Sequence, residues 1–172
     1  MSHQKTLYLM IGLPGAGKST LVSRILRVNP TLTVLSTDNF IEEVAEREGK
    51  TYSEVFKDAI GDATRNLEET KRKALEEGAD VIWDQTNLTR KKRNSITRVF
   101  RAAGYRIEYY LILVEEKRRY DWYKRLDCRP NKKVPRKVIK TMTHHFQMPE
   151  SDVEDYDGIR VYDIDGNLIY KE

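Results

Sequence analysis

Residues 7–26 read LYLMIGLPGAGKSTLVSRIL, and most of the expected fold follows from this stretch. The apolar run at 6–12 has the continuous hydrophobicity of a strand buried on both faces. It leads into GLPGAGKS at 12–19, which fits G-x-x-x-x-G-K-[ST], and then into a segment expected to be helical from 18 to about 28. In such a strand–loop–helix, Gly12, Gly15 and Gly17 let the backbone turn its N–H groups inward toward phosphate oxygens, with Leu13, Pro14 and Ala16 between them. The helix start adds its positive dipole end. Lys18 is placed to reach the β- and γ-phosphates, Ser19 to ligate Mg²⁺, and Thr20 to lie by the α-phosphate. The spacing therefore predicts a site for a nucleoside triphosphate with Mg²⁺.

Outward from this core, further strands are expected at 32–36 (LTVLS), 80–84 (DVIWD) and 105–114 (YRIEYYLILV). Helical segments are expected at 38–48, 52–77, 90–103, 117–127 and 135–146; Val55, Ala59, Ala63 and Leu67 recur four residues apart. The closing IRVYDIDGNLIYK (159–171) reads as a hairpin turning at Asp165-Gly166. Strands alternating with helices predict an α/β P-loop NTPase fold: a parallel sheet, helices on both faces, and a C-terminal hairpin. One domain over 1–172 is expected, with a helical lid at about 117–140. Ligands of such sheets gather at the carboxyl ends of the strands, where the candidate motifs fall.

With 39% hydrophobic and 34% charged residues, the composition is that of a soluble globular protein. No apolar run approaches the roughly 20 residues of a membrane span. MSHQK at 1–5 is followed by no signal-peptide core, and the single Cys128 excludes an intrachain disulfide; a cytoplasmic setting is expected. The net charge of +4 is concentrated in 90–140 (RKKR, EEKRRYDWYKR, RPNKKVPRKVIK), whereas 38–79 is mostly acidic helix faces. Such clustering suits a polyanionic partner or plain solvated helix faces.

The remaining motifs concern where the phosphate goes. NKKV at 131–134 lacks the aspartate of a guanine-reading motif. Asp38, in VLSTDNF, sits at a strand tip, placed either to cap the next helix or to take a proton from an acceptor hydroxyl. Asp84, at the end of VIWDQTNLTR, suits the organisation of Mg²⁺ through water, while Thr86 and Asn87 offer hydroxyl and amide groups to an acceptor. Arg125 and Arg129, four apart at a helix end, suit either a helix C-terminus or closure on the β- and γ-phosphates. His144 and His145 suit a helix end, and Trp122 and Tyr123 would stack bases if exposed.

Together these motifs resemble the kinase domain of phage-type polynucleotide 5′-hydroxyl kinases, within the wider zeta-toxin-like and AAA-type small P-loop kinases. The resemblance rests on GLPGAGKST, the strand-tip Asp38, D-x-T-N-L (84–88), KR-x-x-x-R-x-x-x-x-VP (124–135), F-x-x-P (146–149) and EDYDGI (154–159). It implies transfer of the γ-phosphate of ATP to a 5′-hydroxyl end of DNA or RNA. Asp38 would be the base, Lys18 and Arg129 the catalytic cations, Arg125 a supporting nucleotide-binding residue, and Gln85, Thr86, Asn87 and Arg90 the acceptor side. Two positions depart from the phage pattern: Ile41 stands where those kinases carry a phosphate-clamping arginine, and Gln85 where they carry an aspartate. Arg47, Lys50 and Arg90 are the candidates to replace the clamp. The departures keep open a small-molecule or nucleotide kinase on the same scaffold, and a nucleic-acid-binding ATP module without an acceptor. VYDIDGNLI is similar to the D-x-D-G-T of aspartyl-phosphate phosphatases, but Asn167 replaces the threonine; a turn is expected there and no phosphatase domain.

Overall fold

The continuous apolar run of the opening quotation forms β1 (Thr6–Ile11), the third strand across a six-stranded sheet. The others are β2 (Thr33–Leu35), β3 (Val81–Trp83), β4 (Arg106–Ile112), β5 (Gly158–Tyr162) and β6 (Leu168–Lys171), in the order β2-β3-β1-β4-β5-β6. All neighbours pair parallel except β6, which runs antiparallel to β5. This is a computed structural model, and it describes residues 4–172; residues 1–3, part of the MSHQK stretch, lie outside the described residues. No helix of the described residues is long and apolar enough to cross a membrane.

Strand alternation sends Leu7, Leu9 and Ile11 to one face and Met10 to the other, and both faces are covered. On the first face Trp83, Phe100, Tyr105 and Tyr109 join them under α3 (Tyr52–Glu77) and α4 (Arg90–Ala102). On the second, Leu21 and Val22 of α1 (Lys18–Val28) pack on Met10, Ile82 and Ile112. The helices α2 (Thr37–Glu48) and α3 form a projecting pair held by Ile41, Ala45, Val55, Ala59 and Ala63. Thr51 and Glu54 make a reciprocal capping box at the start of α3, and Gly49 ends α2 in the left-handed region at φ 63°.

The expected helix at 117–127 begins as a 3₁₀ turn over Glu116–Arg118, and the regular helix α5 runs Arg119–Asp127. A connecting segment then leads to α6 (Arg136–His145). The closing hairpin is present, but its turn is not a tight Asp-Gly pair. Residues 163–167 make a wider loop in which the Asp163 carboxylate accepts from the backbone N–H groups of Asp165 and Asn167, both at 2.9 Å. Asn167 thus serves the turn, also donating its side-chain amide to Asp163.

Trp122 is 1% exposed and donates its indole N–H to the Pro14 carbonyl at 2.8 Å, so it braces the glycine loop and is not available to stack a base. Ile41 is 0% exposed inside the α2–α3 interface, so the position of the missing clamp faces the core. The fully buried Arg93 pairs with Glu154 at 2.6 and 2.7 Å and donates to the carbonyls of Asn87 and Leu88. Removing one partner of such a pair costs about 3–5 kcal/mol, because the other charge is stranded. The turn after β3 is thereby tied to EDYDGI.

Candidate active site

The site grows from three strand ends that meet at one edge of the sheet. The loop after β1 carries Gly15 at φ 72° and Gly17 at φ 114°, conformations that favour glycine. A side chain at Gly15 would also strike Leu126 at 2.7 Å, so α5 is seated directly on the loop. The loop is further fixed where the Gly12 N–H donates to the Thr86 carbonyl at 3.0 Å, joining the ends of β1 and β3. Lys18 donates to the carbonyls of Gly12 and Leu13 at 2.8 and 3.1 Å, folding its ammonium over the cradle.

Burial in that cradle lowers the Lys18 pKa to about 8, against the opposing pull of Asp84 and Asp38. A triphosphate beside the ammonium favours its charged form and raises this pKa again. ATP binding near pH 8 is therefore expected to take up about half a proton. Calorimetric titrations at pH 8 in buffers of different ionisation enthalpy read this directly. An apparent binding enthalpy identical in all buffers would contradict it.

Sequence alone left Asp38 as helix cap or base, and the structure gives the cap to Ser36, whose hydroxyl accepts from the Asn39 N–H at 3.2 Å. The Asp38 carboxylate is left to face the cleft. Tyr52 donates its hydroxyl to one Asp38 oxygen at 2.6 Å, and Lys132 bonds the other. Burial pushes the Asp38 pKa up, but the hydrogen bonds from Lys132 and Tyr52 outweigh it and hold the carboxyl below its ordinary range. The Tyr52 hydroxyl is driven well above its usual pKa by burial and by Asp38, so it stays protonated as a donor. Lys132 also lies 4.2 Å from the Tyr52 ring centroid and 3.4 Å from Glu42.

Asp84 follows β3, its N–H donating to the Leu35 carbonyl at 2.9 Å, and burial raises its pKa although Lys18 opposes the shift. No group of three or more His, Cys, Asp or Glu able to hold a metal occurs among the described residues. Mg²⁺ is commonly held by one or two protein oxygens together with phosphates and water. Ser19 and Asp84 line the same cleft as Lys18 and are the residues that fit it.

The cleft, of about 720 Å³, is also lined from α5, α6 and the segment between them, the stretch expected to form a lid. Arg125 and Arg129 both line it, but their engagements differ. Arg125 bonds the Ile164 carbonyl and Asp165, beside Arg118, which pairs with Asp165 at 2.7 Å. Arg129 pairs with no carboxylate among the described residues. Gln85 is held between the Trp83 indole N–H at 3.1 Å and the Thr37 hydroxyl at 3.3 Å. Thr86 faces the cleft, whereas Asn87 is 2% exposed, sits at φ 47° and donates to the Met10 carbonyl at 2.7 Å.

Arg90 is the sequence candidate that does not join the group. It pairs with Glu150 at 2.9 Å and lies 3.9 Å from Glu154, lining neither the cleft nor the cavity next to it. Lys50 likewise pairs with Glu48 at 2.8 Å outside the cleft. Sequence reasoning missed Lys132 and Tyr52. The only signal for Lys132 was its place five residues after Arg125-Leu126-Asp127 in the basic block; Tyr52, as the first residue of a helix, gave none.

A family model described as AAA domain matches residues 7–149. Among curated relatives, the chain is similar to a shikimate kinase of Corynebacterium efficiens, 28% identical over 83% of this chain and 98% of that protein. A solved structure from the PezAT chromosomal toxin–antitoxin system of Streptococcus pneumoniae superposes with TM-score 0.66 at 20% identity, covering 99% of this chain and 72% of the other. A chain of the Pnkp1/Rnl/Hen1 RNA repair complex superposes with TM-score 0.61 at 20% identity, covering 84% and 45% of the two chains. At these identities the two structures share the fold.

Proposed function

We propose that this chain, which belongs to the AAA domain family, is a P-loop kinase that moves the γ-phosphate of ATP onto a hydroxyl of a small molecule. The observation that carries the proposal is the convergence of Lys18, Asp38, Asp84 and the unpaired Arg129 around one cleft. An acceptor hydroxyl at Asp38 gives up its proton to the carboxylate while its oxygen bonds to the γ-phosphorus. The bond from that phosphorus to the β–γ bridging oxygen breaks, and ADP leaves with the electron pair. Lys18 and Arg129 neutralise charge on the moving group, and Tyr52 keeps the carboxylate oriented. Mg²⁺, held by Ser19 and through water by Asp84, would supply neutralisation across the β- and γ-phosphates.

A small acceptor is favoured over a nucleic-acid end by three observations. Position 41 is buried in the α2–α3 core, Arg90 is drawn to Glu150, and the similar shikimate kinase matches over nearly its whole length. A polynucleotide 5′-hydroxyl end is the second reading, favoured by Arg129, Lys132 and Lys133 along the lid side of the cleft.

Transfer of labelled γ-phosphate from ATP separates the readings. Hydroxy acids, polyols, sugars and nucleosides are offered beside 5′-hydroxyl DNA and RNA oligonucleotides. Label is expected on a small molecule. Label on oligonucleotide ends would establish the second reading, and hydrolysis with no acceptor labelled would overturn both, leaving an ATP-driven binding module.

A further inference from the structure

Beyond Asp38, on the side away from the glycine loop, lies a second cavity of about 450 Å³. It shares Asp38, Asp84, Gln85, Thr86 and Met142 with the nucleotide cleft but contains no residue of residues 12–20. Its volume is that of a small-ligand site. An acceptor whose reacting hydroxyl lies at Asp38 therefore has room for its body here, outside the space of the triphosphate.

The groups lining this cavity carry both signs of charge. Asp38 and Asp84, shared with the nucleotide cleft, are its carboxylates, while Lys92 and His145, which the cleft does not share, are its basic groups. Lys92 has no carboxylate partner among the described residues; its ammonium lies 5.9 Å from the Trp83 ring centroid, and its backbone N–H is bonded by the capping Thr89 hydroxyl. His145, the last residue of α6, lines the same space. Thr37, Thr86 and Thr89 also line the cavity, together with Asn87.

We infer that Lys92 and His145 form an anion subsite, and that the acceptor is a small polyol carrying a phosphate or carboxylate at the end remote from the reacting hydroxyl. The inference rests on the kinase reading and names the substrate class for it. An ammonium and an imidazole lining one cavity recognise an anionic group, and the threonine hydroxyls beside them recognise hydroxyls. The carboxylates shared with the nucleotide cleft repel an anionic group, which is therefore expected beside Lys92 and His145, residues the cleft does not share.

The subsite is tested on the full chain loaded with Mg²⁺ and a non-hydrolysable ATP analogue, so that the glycine loop is filled. Inorganic phosphate and, separately, acetate are titrated while the His145 ring protons are followed by NMR, with His145→Gln giving the assignment. A saturable shift in the millimolar range is expected for at least one anion, and Lys92→Gln should raise the apparent Kd at least fivefold. Phosphate alone identifies a phosphorylated polyol, and acetate alone a hydroxy acid. No saturable shift, or the same titration in Lys92→Gln, overturns the subsite. Analogue binding followed in the same samples shows that the nucleotide site is filled, so a missing anion shift counts against the subsite alone, while the kinase reading stands or falls with the transfer assay. A 5′-hydroxyl dinucleotide that shifts His145 at lower concentration than phosphate, and depends on Lys92, would overturn the small-acceptor class.

Discussion

Asp38→Ala is expected to lower kcat by about 10²–10⁴-fold and to leave ATP affinity within about twofold, the range seen when a positioned general base is removed. In the proposed mechanism the carboxylate touches the acceptor proton and not the triphosphate, which explains the split. Its folding contribution is small by comparison, because Ser36 rather than Asp38 caps α2. Rapid-quench turnover with labelled ATP, paired with equilibrium binding of an ATP analogue, measures both halves. A variant that binds the analogue normally and still turns over at near the parent rate would remove Asp38 from the chemistry.

Arg129→Ala is the second large effect, an expected loss of about 10³-fold in kcat, as for a guanidinium acting on a phosphoryl group in transfer. The control is Arg125→Ala. Arg125 is already bonded to Ile164 and Asp165, so its loss should loosen the 163–167 loop and weaken nucleotide binding more than turnover. Steady-state kinetics on both variants, with KM for ATP and kcat resolved, distinguish these roles. Equal losses of kcat in the two would show that neither arginine is singled out for the transferring group.

Much of this architecture was readable from the chain because its signals are local. A glycine loop between a buried strand and a helix has few conformational solutions, so residues 12–19 located the cradle and, with it, the strand ends. Periodicity found α3 to its last residue, since apolar residues four apart face one neighbour. Position 41 was recognised as a departure, but only packing shows that its side chain points into the α2–α3 core. The pairing of Arg90 was hidden for a related reason: its charge suits an anion, and the carboxylates of Glu150 and Glu154 that engage it lie about 60 residues away in sequence. Lys132 meets Asp38 across 94 positions, a distance over which sequence pattern carries no register. Trp122 had the composition of a stacking surface, and its burial came from the tertiary seating of α5 on the loop.

The contact between Lys132 and Asp38 has a metabolic corollary. While that ammonium sits on the carboxylate, both Asp38 oxygens are engaged, one by Tyr52 and one by Lys132, and Asp38 is not free to activate a stray water molecule. In the proposed mechanism an incoming alcohol displaces the lysine from its oxygen. A cell carrying this protein without its acceptor would lose little ATP to it.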